Sequence, residues 1–352
     1  MSKRIYWAVE ALGIANEQSA DIAASQFTPG VQSVGITTNF NLEQIFELGQ
    51  LEIYQDLEEV PDIEITVEKV FDQYLSLYAR CTRPLALATP VADTVTRNIA
   101  NDQNNECDVY FSVNVDTDEQ AGDNLPDAFI FCSGMFVSSV NFNFVTDGHF
   151  TENVTLVGNH KVWTPGAPAK KITGLPTTVA LDSGQVKKRQ NIRFLGGAPT
   201  TIASMGASDI AITSITVSTD FGREEMNILG QRLPYHRFVT FPVEVSCEVE
   251  LYVNDISSLA GGNQLDAFPN QNNLTPEEIK LVIESDDVAD ILSTGIGVAV
   301  HTLDLGTKNT IQSITWGGGD TGGSNATITL SYRNFNKLDY TYGGPATVAG
   351  LY

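Results

Sequence analysis

The sequence predicts a mainly β protein: two tandem antiparallel β-barrel or sandwich domains, each with a short flanking helix. Three observations predict it. Apolar and polar residues alternate with a period of two along much of the chain. β-Branched and aromatic runs are separated by Gly, Asn and Asp clusters. The first half of the sequence also recurs in the second.

In chain order, the segment Asn41–Leu48 reads as a helical turn or as one arm of a bent hairpin. Ile63, Ile65 and Val67 alternate with Glu64, Thr66 and Glu68, the pattern of a strand with one dry and one wet face. Phe71, Tyr74, Leu75 and Tyr78 recur at helical spacing, which predicts a short helix within 71–80. Strands follow at 107–116, at 128–145 and around Val154–Val157. Pro165, Gly166, Pro168, Gly174, Pro176 and Gly184 punctuate 163–192 and mark a linker or long loop over 166–191. The first domain is thus expected over 1–165 and the second over 192–352. Strands are expected at 209–219, 243–250, 297–303, 309–316 and 325–333. Between them, Thr275, Pro276 and Glu278 form a helix-start signature, and Ile279, Val282, Ile283, Ile291 and Leu292 fall near one face. That predicts a helix over 276–292.

The repeat aligns 31–50 with 212–231 at an offset of 181, with seven of 20 positions identical, including Ser33/Ser214, Thr38/Thr219 and Leu48-Gly49-Gln50/Leu229-Gly230-Gln231. Ordinary composition would give roughly one. Ile63–Glu68 aligns with Val243–Glu248 at 180, and Val137–Leu156 with Ile311–Leu330 at 174. Three matches in one order indicate a duplicated unit rather than a solenoid.

Composition narrows function. Among 352 residues, 43 are acidic and 20 basic, a formal charge of −23. Counterion-release binding of nucleic acid needs clustered Lys and Arg, so a DNA-gripping or anionic-membrane-gripping role is excluded. Cys81, Cys107, Cys132 and Cys247 form no CxxC pair, which suits a reduced protein. The N-terminus has no signal-peptide pattern, and no apolar run reaches the length of a transmembrane helix.

Catalytic and metal signatures are equally sparse. His149, His160, His236 and His301 form no ligand motif, so structural roles are expected. Asp116–Asp123 lacks the ligand spacing of a calcium loop. Gly317–Gly323 is followed by no Lys-Ser/Thr, so it reads as a hairpin loop. No catalytic residue, cofactor site or metal site is expected. What remains is the acidic outer side of the alternating strand in each repeat: Glu64 and Glu68 in one, Glu244, Glu248 and Glu250 in the other.

Val31-Gln32-Ser33-Val34, Phe40, Glu43, Leu48-Gly49-Gln50, Val137–Phe142, Asp147-Gly148 and Thr151–Asn159 resemble the tail tube proteins of long-tailed bacteriophages. The resemblance implies a β-barrel or sandwich that assembles into rings, with inner sheets joined around a channel and rings stacked into a conduit for DNA ejection. Doubling the domain implies a homotrimeric, pseudo-hexameric ring. The implied partners are other copies of the chain, the tail terminator, the baseplate or hub, the tape measure and, in sheathed tails, the sheath. DNA would pass without adhering, no membrane would be involved, and the protein would reside in the virion after assembly in the host cytoplasm. Glu64, Glu68, Glu244 and Glu248 are then expected to line the channel. Two alternatives stand beside this: a distal tail or baseplate hub ring, and a carbohydrate-binding β-sandwich module.

Overall fold

The computed structural model describes residues 5–6, 12–16, 22–23, 28–49, 51–82, 95–102, 104–115, 128–165, 172–173, 186–204, 210–253, 274–284, 299–317 and 326–343. The chain is mainly β, with antiparallel sheets and short helices. Eight strands make the principal sheet: β1 (Val31–Asn39), β2 (Asp62–Val70), β3 (Ala128–Val145), β4 (Thr151–Gly158), β5 (Ile210–Asp220), β6 (Glu244–Val253), β7 (Thr310–Gly317) and β8 (Thr327–Phe335). Their order across the sheet is β7-β8-β6-β5-β3-β4-β2-β1. Each half of the chain therefore supplies four adjacent strands in the same relative order, and β3 against β5 joins them.

Register repeats as well as order. One residue bulges between Val31 and Ser33 in β1 and between Ile212 and Ser214 in β5. Bulges also separate Val137 from Ser139 in β3 and Ile311 from Ser313 in β7. Ser33 lies opposite Glu68 as Ser214 lies opposite Glu250, so Glu68 corresponds to Glu250 and Ile63 to Val245. Val154 corresponds to Leu330, since each faces the same neighbours on both sides. Sequence matching set Glu68 on Glu248 and Val154 on Ile328; both are two residues short. A slip of two leaves the alternating pattern unchanged, so apolarity alone does not detect it.

The apolar side of this sheet packs on a second layer. In the first half β3 runs on into that layer, turning at Gly134, whose φ of 64° suits glycine. There its first residues pair with Cys107–Val115 and His160–Pro165, and Leu12–Asn16 extends the layer. In the second half the layer is Ile192–Phe194, Lys280–Glu284, Ala299–Asp304 and Asp339–Tyr342. In each half an inner strand of this layer is paired on both sides: Phe111 with Leu12 and Ile130, and Ile283 with Ile192 and His301. The core between the layers includes Phe142, Leu156, Val217, Cys247, Leu281 and Leu330.

A strap from the first half closes the second. Helix α1 (Leu77–Thr82) and strand Val95–Asn98 cross over, and the strand pairs with Asp339–Tyr342. Glu152 on β4 accepts the first helical N–H groups of Leu77 (2.7 Å) and Tyr78 (2.8 Å). Lys69, opposite Glu152 across the strands, donates to Asp72 at 2.7 Å, with both side chains buried. His301 Nε2 donates to the carbonyl of Asp72 (2.6 Å), so Nδ1 accepts from the Tyr340 hydroxyl (2.7 Å), which in turn accepts from Ser76 N–H (3.2 Å). Burial holds the imidazole neutral by lowering its pKa to about 3.

Two expectations change. The helix expected over 276–292 is, over its described part, the strand Lys280–Glu284, preceded by extended chain. Ile279, Leu281, Val282 and Ile283 are all buried, a run hidden on both sides rather than on one stripe, and Glu277 accepts from the backbone N–H and hydroxyl of Thr201 instead of starting a helix. Residues 285–298 lie outside the described residues. The helix expected within 71–80 begins only at Leu77, because the chain before it bends at Gln73-Tyr74, where the Tyr74 N–H donates to the Asp72 carboxylate (2.9 Å) instead of entering a helix. The segment Asn41–Leu48 takes its hairpin form: Leu42–Phe46 pairs with Ile53–Glu58. The acidic loop 116–123 and most of the glycine run 317–323 lie outside the described residues.

Candidate functional site

The other side of the principal sheet is wet. Ser, Thr and Asn dominate it in β1, β3, β4 and β5. β2 adds Asp62, Glu64 and Glu68 to this side; β5 and β6 add Asp220, Glu244, Glu248 and Glu250. Among the described residues of these strands, Arg333 is the cation on this side, with its guanidinium 5.7 Å from the Phe335 ring centroid. Glu64, Glu244 and Glu248 are exposed, and Glu68 is half-buried. The structure thus brings all four expected glutamates onto one face. Glu250, from the same alternating run, lies there too, and strand pairing adds Asp62 and Asp220. Ser33 donates to Glu68 and Ser214 to Glu250, both at 3.2 Å, so the same bond recurs in each half.

The joint between the halves is dry on its inner side. Phe142 lies opposite Val217, Val140 opposite Thr219 and Phe144 opposite Ile215, all buried. Two arginines stitch it from the hairpin that follows β5, formed by Arg223–Met226 and His236–Val239. Arg223 Nε donates to the Val137 carbonyl at 2.7 Å, its guanidinium 5.2 Å from the Phe136 ring centroid. Burial first, then the nearby Arg237 charge, lowers its pKa to about 10. Arg237 donates to Asp62 (2.8 Å) and Asn159 (3.2 Å) in the first half and pairs with Glu225 on its own hairpin. Nothing local in the sequence marks this stitch, because its partners lie 78 to 175 positions away.

The two outer edges expose what the joint buries. Trp316 in β7 holds the position of Phe142 and is 55% exposed, whereas Phe142 is fully buried. Ile36 and Val34 in β1 hold the positions of Val217 and Ile215 and are only partly covered. Both hairpins also leave apolar side chains in solvent. Leu48 and Leu229 stand fully exposed at their tips, beside Gly49 and Gly230 at φ 93° and 88°. Contiguous exposed apolar side chains mark contact surfaces.

Enclosed chemistry is slight. A cavity of about 160 Å³ lies where β3 and β5 meet Arg189–Phe194, lined largely by Phe144, Phe150, Ile192, Phe194 and Ile215. Among the described residues no group of three His, Cys, Asp or Glu converges as a metal site would require, and no helix is long and apolar enough to cross a membrane. The cysteines are buried and unpaired; burial raises the Cys132 and Cys247 thiols to about 12, so both are held as inert thiols. No protein-family model matches the chain, and no curated protein matches it.

Proposed function

We propose that this chain is a structural virion protein of a long-tailed bacteriophage, a tail tube subunit that forms rings by sheet closure and acts without catalysis. One observation carries the reading. The sheet holds two equivalent four-strand sets joined edge to edge, and its outer edges, β1 and β7, are the counterparts of the strands already joined inside. Repeating the internal register between copies places Ile314 opposite Thr38 and Trp316 opposite Ile36, which covers the exposed apolar edge. Closure would leave no open edge, the usual remedy for unpaired strand backbone. Three chains, the implied number, would make a 24-strand barrel from the eight principal strands of each.

The acidic side would then face the lumen. Duplex DNA carries one charge per about 1.7 Å. A wall bearing carboxylates in every repeat, with few cations, denies phosphate the contacts that would arrest it, and confinement reinforces the field. The leucine-tipped hairpins supply surface for stacking ring on ring. Negative-stain microscopy of the purified protein tests the reading: hollow rings and stacked tubes are expected, and solitary compact particles at all concentrations would overturn it. Single rings that never stack would favour the distal hub instead.

A further inference from the structure

The two kinds of joint are not chemically alike, although their strands are. Register equates the hairpin after β1 with that after β5. Arg223 lies opposite Val239 and Arg237 opposite Glu225; in the same places Leu42 lies opposite Glu58 and Asp56 opposite Gln44. Leu42 therefore stands where Arg223 stitches the joint inside the chain, and Asp56 stands where Arg237 does. The partners change too. Asp62 and Asn159 receive Arg237 inside the chain. Their counterparts beside the β7 edge are Glu244 and Phe335, paired across β6 and β8. Asp56, Glu244 and Phe335 are all exposed.

We infer that when the β1 edge of one copy closes on the β7 edge of a second copy, Asp56 meets Glu244, so a like-charge contact stands where an arginine ion pair holds the internal joint. The inference rests on the ring reading and names what governs its closure. The internal joint is locked by the chain's own arginines. The joint between copies has apolar cover from Trp316, Ile36 and Leu42 but an opposing charge pair at its rim. Copies made in the cell stay apart at low concentration and join where that charge is screened or where an existing ring end supplies apolar contact. Exposed charges are screened within about 10 Å at 0.1 M salt, so the contact is sensitive to ionic strength.

Sedimentation equilibrium of the full chain tests this at about 50 mM and about 500 mM NaCl, on either side of that screening range. Asp56→Arg should tighten self-association about 10- to 100-fold at low salt, the span expected for replacing an opposing charge with a charged hydrogen bond. Glu244→Arg should do likewise, and the double variant Asp56→Arg/Glu244→Arg should return to the wild-type level. Glu278→Arg, which changes net charge equally at an exposed site outside both hairpins and the principal sheet, serves as control and should move association by no more than about twofold, as expected of an isolated surface charge. If wild type associates but Asp56→Arg is no tighter than the control, this inference falls while the ring reading stands. If no variant associates in either salt, both fall.

Discussion

Replacing Glu152 by Gln tests the strap that holds the second half closed. Glu152 is fully buried, and burial lifts its pKa from 4.5 to about 7 against the opposing pull of the Tyr78 N–H, the Lys69 charge and the Leu77 N–H. The folded state therefore binds this proton more tightly than the unfolded chain. Stability from this group is fully present below about pH 4.5 and is lost as pH rises through about 7. At 1.36 kcal/mol per pH unit, the loss is about 3 kcal/mol. Gln cannot ionise and keeps one oxygen for the two N–H donors, so the variant starts about 1–3 kcal/mol lower at pH 5 from the acceptor it lacks. Urea unfolding of both proteins at pH 5 and pH 8 should show wild type losing about 2.5 kcal/mol relative to the variant, since part of the effect is already gone at pH 5. Parallel stabilities across that range, or a wild type that gains with pH, would refute the account of the strap as a buried, proton-linked cap.

Five further outcomes follow from the sheet. Phe142→Ala should cost about 3–5 kcal/mol in chemical unfolding. Trp316→Ala, at the matching edge position, should cost under about 1 kcal/mol in a monomer yet abolish self-association by sedimentation. Arg237→Met leaves Asp62 and Glu225 without their shared cation; it should cost about 2 kcal/mol, read as a lower melting temperature. Leu48→Ser with Leu229→Ser should leave unfolding unchanged within about 0.5 kcal/mol while shortening tubes seen by microscopy. Charge reversal of Glu64, Glu68, Glu244 and Glu248 to Lys should leave ring assembly intact, slow genome delivery and create salt-dependent retention of duplex DNA in a binding assay.

Strand positions were legible in the sequence because alternation reports burial directly: the runs at 63–68 and 128–145 lie in strands, as do 107–115 and 244–250 of two others. The face carrying Glu64 and Glu248 was legible for the same reason. Register was not, since Glu68 matches Glu248 and Glu250 equally well in polarity; the bulges and the serine bonds decide for Glu250. The apolar run Ile279–Ile283 carried helix-start signals that tertiary burial between two sheet neighbours overrode. Arg223 and Arg237 stayed invisible because their roles depend on which strands become neighbours. The buried strap cluster is likewise a product of the crossover that brings Asp72 to His301.

The four bulges, at one place in β1 and β5 and at another in β3 and β7, have a geometric consequence. Each extra residue bends its strand and increases the local coiling of the ribbon. Four such kinks, one in each edge strand and one in each strand of the central joint, write a fixed arc into the backbone, so the diameter of any closed hoop follows from the chain's own bend rather than from the stickiness of its ends. Deleting Gln32, Ser138, Thr213 or Gln312 would flatten that arc and open the hoop to a different number of members.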